Sequence, residues 1–270
     1  MSLRALIILP TYNERENLRP LVEEILSRGP YDILIVDDNS PDGTGLLADE
    51  LAGEHMGRVF VMHRQKKEGL GRAYIAGFKW GLARGYDVLF EMDADFSHNP
   101  DHLRQFMQQI HNGADLVLGS RNIRGGGTRN WSWLRKFISR GGSLYAQIIL
   151  WSPYRDLTSG FKAFRREVLE ALDLDRIHSN GYSFQIEVTY RAHQLGFKIR
   201  ETPIIFHDRR VGTSKMHGRI VLEAMLVVWK LRFSKPPVRR HRHRHEVHTR
   251  PSLPGRERGG GYRAGPNAED

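Results

Sequence analysis

Residues 31–43, Tyr31-Asp-Ile-Leu-Ile-Val-Asp-Asp-Asn-Ser-Pro-Asp-Gly43, join an apolar run to a polar, turn-forming end. Tyr31–Val36 reads as a buried strand, and Asp42 supplies a start for the helical pattern near 44–53. The same unit recurs on both sides of it. Leu6–Leu9 precedes a helical pattern near 16–28, Val59–Met62 one near 70–83, and Val88–Met92 one near 100–111. Leu116–Gly119 supplies a fifth strand, and Asn99-Pro100 a further helix start, proline being suited to the first turn. Nearly continuous apolar strands alternating with helices predict an α/β fold with a mostly parallel central sheet flanked by helices. Ligands of such sheets bind beyond the carboxyl ends of the strands.

Composition removes several classes of function. The 270 residues contain no cysteine, which excludes disulfide scaffolds, Cys-ligated zinc and thiol catalysis. No apolar run reaches the roughly 18 residues of a membrane span. The apolar start is too short for a signal peptide and leads straight into a strand, so the expectation is a cytoplasmic protein. The formal charge of +10 is unevenly placed: residues 235–270 hold nine Lys and Arg against four acids, half of the excess. That stretch, rich in Arg, His, Pro and Gly, has too little apolar surface to offset its ordering entropy and is expected to be a disordered basic tail. Its histidines, His241, His243, His245 and His248, are interleaved with Arg, which disfavours a tight metal site.

The polar strand ends carry the chemistry. Pro10-Thr11-Tyr12-Asn13-Glu14 fits neither a dinucleotide-binding glycine fingerprint nor a P-loop. Asp37-Asp38 could accept hydrogen bonds from a base or ribose, and is equally the ordinary vocabulary of a turn and helix cap. Asp93-Ala94-Asp95 places two carboxylates where a strand gives way to a loop. Adjacent carboxylates repel unless a cation or proton separates them, and hard oxygens beside a polyphosphate suit Mg²⁺ or Mn²⁺. Gly69 and Gly71 fit a turn as well as a ligand. His98, His207 and His178 are read as bystanders, and Arg165 and Arg166 as solvated.

Taken together, Pro10 to Glu14, Val36 to Thr44, Gly69-Leu70-Gly71, Asp93-Ala94-Asp95 and Gly119-Ser120-Arg121 resemble the family 2 inverting glycosyltransferases with the GT-A fold. The later segments Arg135 to Gly141, Asp156 to Phe161 and Asp208 to Lys215 resemble the dolichol-phosphate (polyprenol-phosphate) mannose synthases among them. The resemblance covers about residues 4–234 and implies a catalytic domain over 1–234. It implies mannose transfer from GDP-mannose to a polyprenyl monophosphate, with inversion, in the presence of Mg²⁺ or Mn²⁺. Pro10, Tyr12, Glu14, Val36 and Asp38 would line the nucleotide pocket, and Asp93, Ala94 and Asp95 the diphosphate. Asp95 would be the main metal ligand, with Asp93 and Ser97 beside it. Arg209 and Lys215 would close over the donor diphosphate on a mobile loop. Arg121, Arg135 and Ser139 would receive the acceptor phosphate.

Residues 219–233, RIVLEAMLVVWKLRF, have a broad apolar surface at helical spacing, with Arg219, Glu223 and Lys230 gathered on one side. This predicts an amphipathic helix packed on the core, lying in a membrane interface, or doing both with different faces. The expected location is the cytoplasmic face of a membrane, held directly or through a membrane-protein partner. Two alternatives stay open at this point. One keeps the fold but uses UDP-glucose or another acceptor; the other is a nucleic-acid-binding protein led by the tail.

Overall fold

The computed structural model describes residues 3–129, 131, 133–208 and 218–234, without the side chains of 134–138 and 218–224. The tail over 235–270, the donor-loop residues Arg209 and Lys215, and the side chain of Arg135 lie outside the described residues. In chain order the elements begin β1 (Ala5–Thr11), α1 (Arg15–Arg28), β2 (Tyr31–Asp37), α2 (Thr44–Glu54), β3 (Val59–His63) and α3 (Leu70–Ala83). Then come β4 (Val88–Glu91), α4 (His102–His111), β5 (Leu116–Ser120), β6 (Gly127–Thr128) and α5 (Trp133–Leu150). The chain continues through β7 (Lys162–Arg165), α6 (Arg166–Ala171), α7 (Gly181–Gln194), β8 (Ile199–Pro203), β9 (Ile205–Phe206) and α8 (Gly218–Phe233).

Seven strands form one sheet in the order β3-β2-β1-β4-β7-β5-β8. All neighbours are parallel except at β7, which runs antiparallel to β4 and β5. Alternate side chains feed opposite faces. Ile7 and Leu9 join one core with α1, α2 and α4, while Leu6 and Ile8 join the other with α3, α6 and α7. Each such aliphatic side chain contributes about 1.5–3 kcal/mol on burial. The chain leaves β1 toward β2 on one side and returns to β4 on the other, so the crevice of the sheet opens at the end of β1.

Two expectations change on sight of the packing. Arg165 and Arg166 are not simply solvated: they close helix ends. Arg165 donates to the Ile110 carbonyl in the last turn of α4 and to the Ala114 carbonyl beyond it, and Arg166 to the Leu82 carbonyl in α3. Cations there meet the negative ends of the helix dipoles. For Gly69 and Gly71 the packing role is explicit. Gly69 has φ +102°, and a Cβ on Gly71 would lie 2.7 Å from the Ser179 carbonyl oxygen, so α3 starts against the segment leading into α7.

A third apolar cluster joins α5, α7 and α8 through Ala146, Leu150, Ile186, Tyr190, Val228 and Leu231. The last helix therefore packs inward along one side, while Leu226, Trp229 and Phe233 stay exposed. Among the described residues no helix is long and apolar enough to cross a membrane.

Candidate active site

The register brings the first two polar strand ends side by side, with Thr11 opposite Asp37. Their acids then take different tasks. Asp37 accepts from the Thr11 hydroxyl at 3.0 Å, the Ser40 hydroxyl at 2.6 Å and the Ser40 N–H at 3.1 Å. It is consumed in building the turn. Asp42 does the same for the next step, accepting from the Thr44 N–H at 3.0 Å and the Thr44 hydroxyl at 2.6 Å. Asp38 instead pairs with Arg64 at 2.5 Å, and Arg64 also reaches Glu68 at 2.8 Å. Burial lifts the Asp38 carboxyl above its ordinary range, with Arg64 pulling the other way. Arg64 was invisible in a commonplace basic run.

Pro10, Tyr12 and Glu14 are half-buried around the same cleft, and the Lys67 ammonium sits 3.8 Å above the Tyr12 ring. Val36 and Ala94 belong to the core and offer no side-chain surface.

β4 ends at Glu91, so Asp93 and Asp95 lie in the loop beyond it, where Phe96 adopts φ +62°. Asp93 accepts from the Tyr74 hydroxyl at 3.2 Å. Burial and the nearby Asp93 carboxylate push the Tyr74 phenol well above its ordinary range, which keeps it a donor. Asp95, 3% exposed, accepts the Ser97 N–H at 3.0 Å. The Ser97 hydroxyl is buried and has no hydrogen-bond partner. His98 is buried and satisfied, as expected of a lone histidine. Its Nδ1 accepts the Asp93 N–H at 3.0 Å, and its ring stacks on Phe161 at 4.9 Å. Burial lowers it to about 3, so the ring is neutral and Nδ1 stays an acceptor.

Beneath this loop lies a wholly buried pair. Glu91 and Lys162 are 3.8 Å apart, and Lys162 also donates to the Gln185 carbonyl at 3.1 Å. Burial lifts Glu91 to about 7 and lowers Lys162 to about 8, each opposed by the other's charge.

Arg121 follows β5 and is held by Asp156, which accepts from Nε and Nη2 at 2.7 Å each and from the Arg121 N–H at 2.9 Å. Burial opposes both charges. Mutual attraction outweighs it, raising the Arg121 pKa and lowering that of Asp156. Two nitrogens are thus spent on orientation, which leaves Nη1 as the third edge of the fork. Arg121 and Ser139 line one concavity with Asn122, Thr128, Trp131 and Arg140. The structure therefore unites two of the three expected phosphate-binding residues. The third, Arg135, belongs to the first turn of α5, whose side chains there are not described.

Carboxylates and cations gather at the carboxyl ends of a doubly covered sheet, the place where such sheets bind their ligands. The chain belongs to glycosyl transferase family 2, whose model matches residues 6–173, and it is a glycosyltransferase. Its relatives include the polyprenol monophosphomannose synthase of Mycolicibacterium smegmatis, 51% identical over 85% of this chain and 88% of that protein. The undecaprenyl-phosphate mannosyltransferase of Micrococcus luteus is also 51% identical, over 84% of this chain and 93% of its own. The dolichol-phosphate mannosyltransferase of Pyrococcus furiosus is 38% identical over 83% of this chain and 62% of its own. Among solved structures, glucosyl-3-phosphoglycerate synthase from Mycobacterium tuberculosis, in complex with Mn²⁺ and UDP-glucose, shares the fold. Its TM-score is 0.65 at 17% identity, over 85% of this chain and 79% of that one.

Proposed function

We propose that the chain transfers mannose from GDP-mannose to a polyprenyl monophosphate, giving polyprenyl-phosphate β-mannose and GDP. The observation that carries this reading is the concavity shared by Arg121 and Ser139, a cation and a hydroxyl at the end of β5, close in the fold to the acidic loop after β4. Relatives named for mannosyl transfer to polyprenyl phosphates support it.

The acceptor is already an anion near neutral pH, so no strong general base is required. An acceptor phosphate oxygen forms the new bond to the sugar C1 as the bond from C1 to the donor diphosphate breaks. GDP leaves with the electron pair, and the single displacement inverts the anomeric centre. Arg121, fixed by Asp156, and Ser139 orient the attacking phosphate. Arg209 and Lys215 receive the charge that develops on the diphosphate.

Asp93, Asp95 and the partnerless Ser97 hydroxyl form an all-oxygen set that suits Mg²⁺ or Mn²⁺. Among the described residues no group of three or more His, Cys, Asp or Glu converges as a metal site. Room for diphosphate oxygens and water is what Mg²⁺ favours. When bound, the cation offsets charge on the leaving diphosphate. The buried Asp95 carboxylate is held in place by the Ser97 N–H, and the Asp93 backbone by His98.

Calorimetric titration tests the acceptor assignment. The unmodified chain should bind GDP and geranyl phosphate; Arg135→Ala should keep GDP affinity and lose about tenfold or more for geranyl phosphate, since charge-assisted hydrogen bonds contribute about 1.5–3 kcal/mol. Unchanged acceptor affinity with intact GDP binding removes Arg135 from the site.

The exposed faces of α5 and α8 suit a peripheral position on the cytoplasmic side of a membrane. Trp133, Ile148 and Trp151 project from or just beyond α5, and Leu226, Trp229 and Phe233 from α8. The Arg232 guanidinium lies 5.0 Å above the Trp151 ring, placing a cation beside the aromatic surface. Aromatic rings flanked by cations are the composition of an interfacial anchor. Trp229→Ser combined with deletion of residues 235–270 should weaken binding to anionic vesicles, because nearby cations contribute roughly 1 kcal/mol each at low salt. Transfer to geranyl phosphate should be unchanged. Undiminished vesicle binding contradicts the anchor, and loss of activity on the soluble acceptor shows that these parts belong to the catalytic unit.

A further inference from the structure

Residues 204–207 touch each half of the candidate site in turn. The Ile204 N–H donates to the Ser120 carbonyl at 3.0 Å, next to Arg121. β9 pairs with β6, Ile205 opposite Gly127 and Phe206 opposite Thr128, so it forms one wall behind the phosphate concavity. The Phe206 carbonyl accepts the Arg129 N–H at 2.8 Å, and the His207 N–H donates to the Ser97 carbonyl at 3.2 Å in the acidic loop. Residues 204–207 thereby tie the segments at Ser97, Ser120 and 127–129 to one another. The loop joining β5 to β6 is itself tight: a Cβ on Gly126 would lie 2.4 Å from the Ser120 carbonyl oxygen.

The Phe206 ring occupies the junction. It meets the His98 ring edge-on at 5.4 Å and the Trp131 ring edge-on at 5.3 Å, and the Arg121 guanidinium lies 5.5 Å from its centre. His98 holds the Asp93 N–H, while Arg121 and Trp131 line the phosphate concavity. One ring therefore packs against a group that fixes the acidic loop and against two that shape the acceptor pocket. Packed aromatic contacts do not deform continuously; a shift on one side is passed to the other.

Resting on the proposed function, we propose that Phe206 is a positioning residue that couples donor-diphosphate binding to acceptor-phosphate binding. Occupation of the acidic loop by the donor diphosphate and cation sets His98 and, through Phe206, the Trp131 wall of the pocket beside the Arg121 guanidinium, which Asp156 holds. The acceptor phosphate then binds a pocket already arranged. By linkage, the acceptor must tighten the donor by the same factor.

The test is calorimetric titration of the full chain with GDP in the presence of Mg²⁺, with geranyl phosphate, and with each ligand on the saturated complex of the other. In the unmodified chain each should tighten the other about tenfold, within the usual range of such couplings. Phe206→Leu should bring that factor below about twofold while each ligand alone binds within about threefold of its original affinity. Phe206→Tyr, which keeps the ring, should retain the coupling. Independent binding in the unmodified chain overturns the proposal. So does undiminished coupling in Phe206→Leu, or its loss in Phe206→Tyr, the variant that decides the matter where Phe206→Leu does not fold. An unmodified chain that binds GDP but no geranyl phosphate overturns the functional reading itself, a different result from independent binding of both.

Discussion

Asp95→Asn is expected to lower kcat about a thousandfold or more at saturating Mg²⁺, with the fold intact. The amide keeps an oxygen able to accept the Ser97 N–H, a hydrogen bond of 3.0 Å that holds this side chain. It loses the negative charge, which is the property a divalent cation needs from a residue 3% exposed. A thousandfold corresponds to about 4 kcal/mol of transition-state stabilisation, the scale of a lost metal contribution. Steady-state rates over a Mg²⁺ series, with a melting curve for each protein, separate chemistry from folding. A kcat within about threefold of the unmodified enzyme removes Asp95 from the metal site.

The second large effect is one of stability. Asp156→Asn strips the carboxylate from a guanidinium that is itself buried, and an uncompensated buried charge costs about 3–5 kcal/mol. For a domain of this size that is a fall in Tm of about 10 °C. Its pH dependence has a definite sign. The folded-state pKa of Asp156 lies below its ordinary value of 3.8, so its contribution is complete above the unfolded carboxylate's pKa and is lost as the pH falls through the folded one. The difference between the two proteins should therefore be full at pH 7 and narrow only in strong acid, below about pH 4. Melting curves at pH 7 and pH 3 measure it. A variant within about 2 °C of the unmodified Tm would show that Asp156 does not anchor Arg121.

Where apolar periodicity was strong, the sequence was legible. The first five strands and their helices fall within one to two residues of expectation, because continuous Ile, Leu and Val runs are bounded by Asp, Asn, Pro and Gly. The pattern fails at β7. Its four residues, Lys-Ala-Phe-Arg, include a Lys that is wholly buried through Glu91 and Gln185, partners on a distant strand and helix. No local signal announces a buried ammonium, or that this strand runs antiparallel.

The same limit applies within the site. Local sequence marks the Asp37-Asp38 turn but not which acid builds it; that depends on Thr11, 26 residues away, and on Arg64. Asp156 was evident as part of a motif, whereas its grip on Arg121 spans 35 residues. A lone histidine is expected to be structural, and His98 holds the Asp93 N–H. Its packing against Phe161 and Phe206 joins residues far apart in the chain, so no local signal announces it.

The central claim is a mannosyl transfer onto a lipid phosphate, and the most direct measurement is a donor panel against geranyl phosphate with Mg²⁺. GDP-mannose, GDP-glucose, UDP-glucose and UDP-mannose are supplied separately, with product detected by mass and its anomeric configuration by NMR. The expected product is a β-configured mannosyl phosphate from GDP-mannose, formed at a rate far above that with any other donor. A glucosyl product from UDP-glucose, an α-configured product, or no transfer to the phosphate from any donor would contradict it.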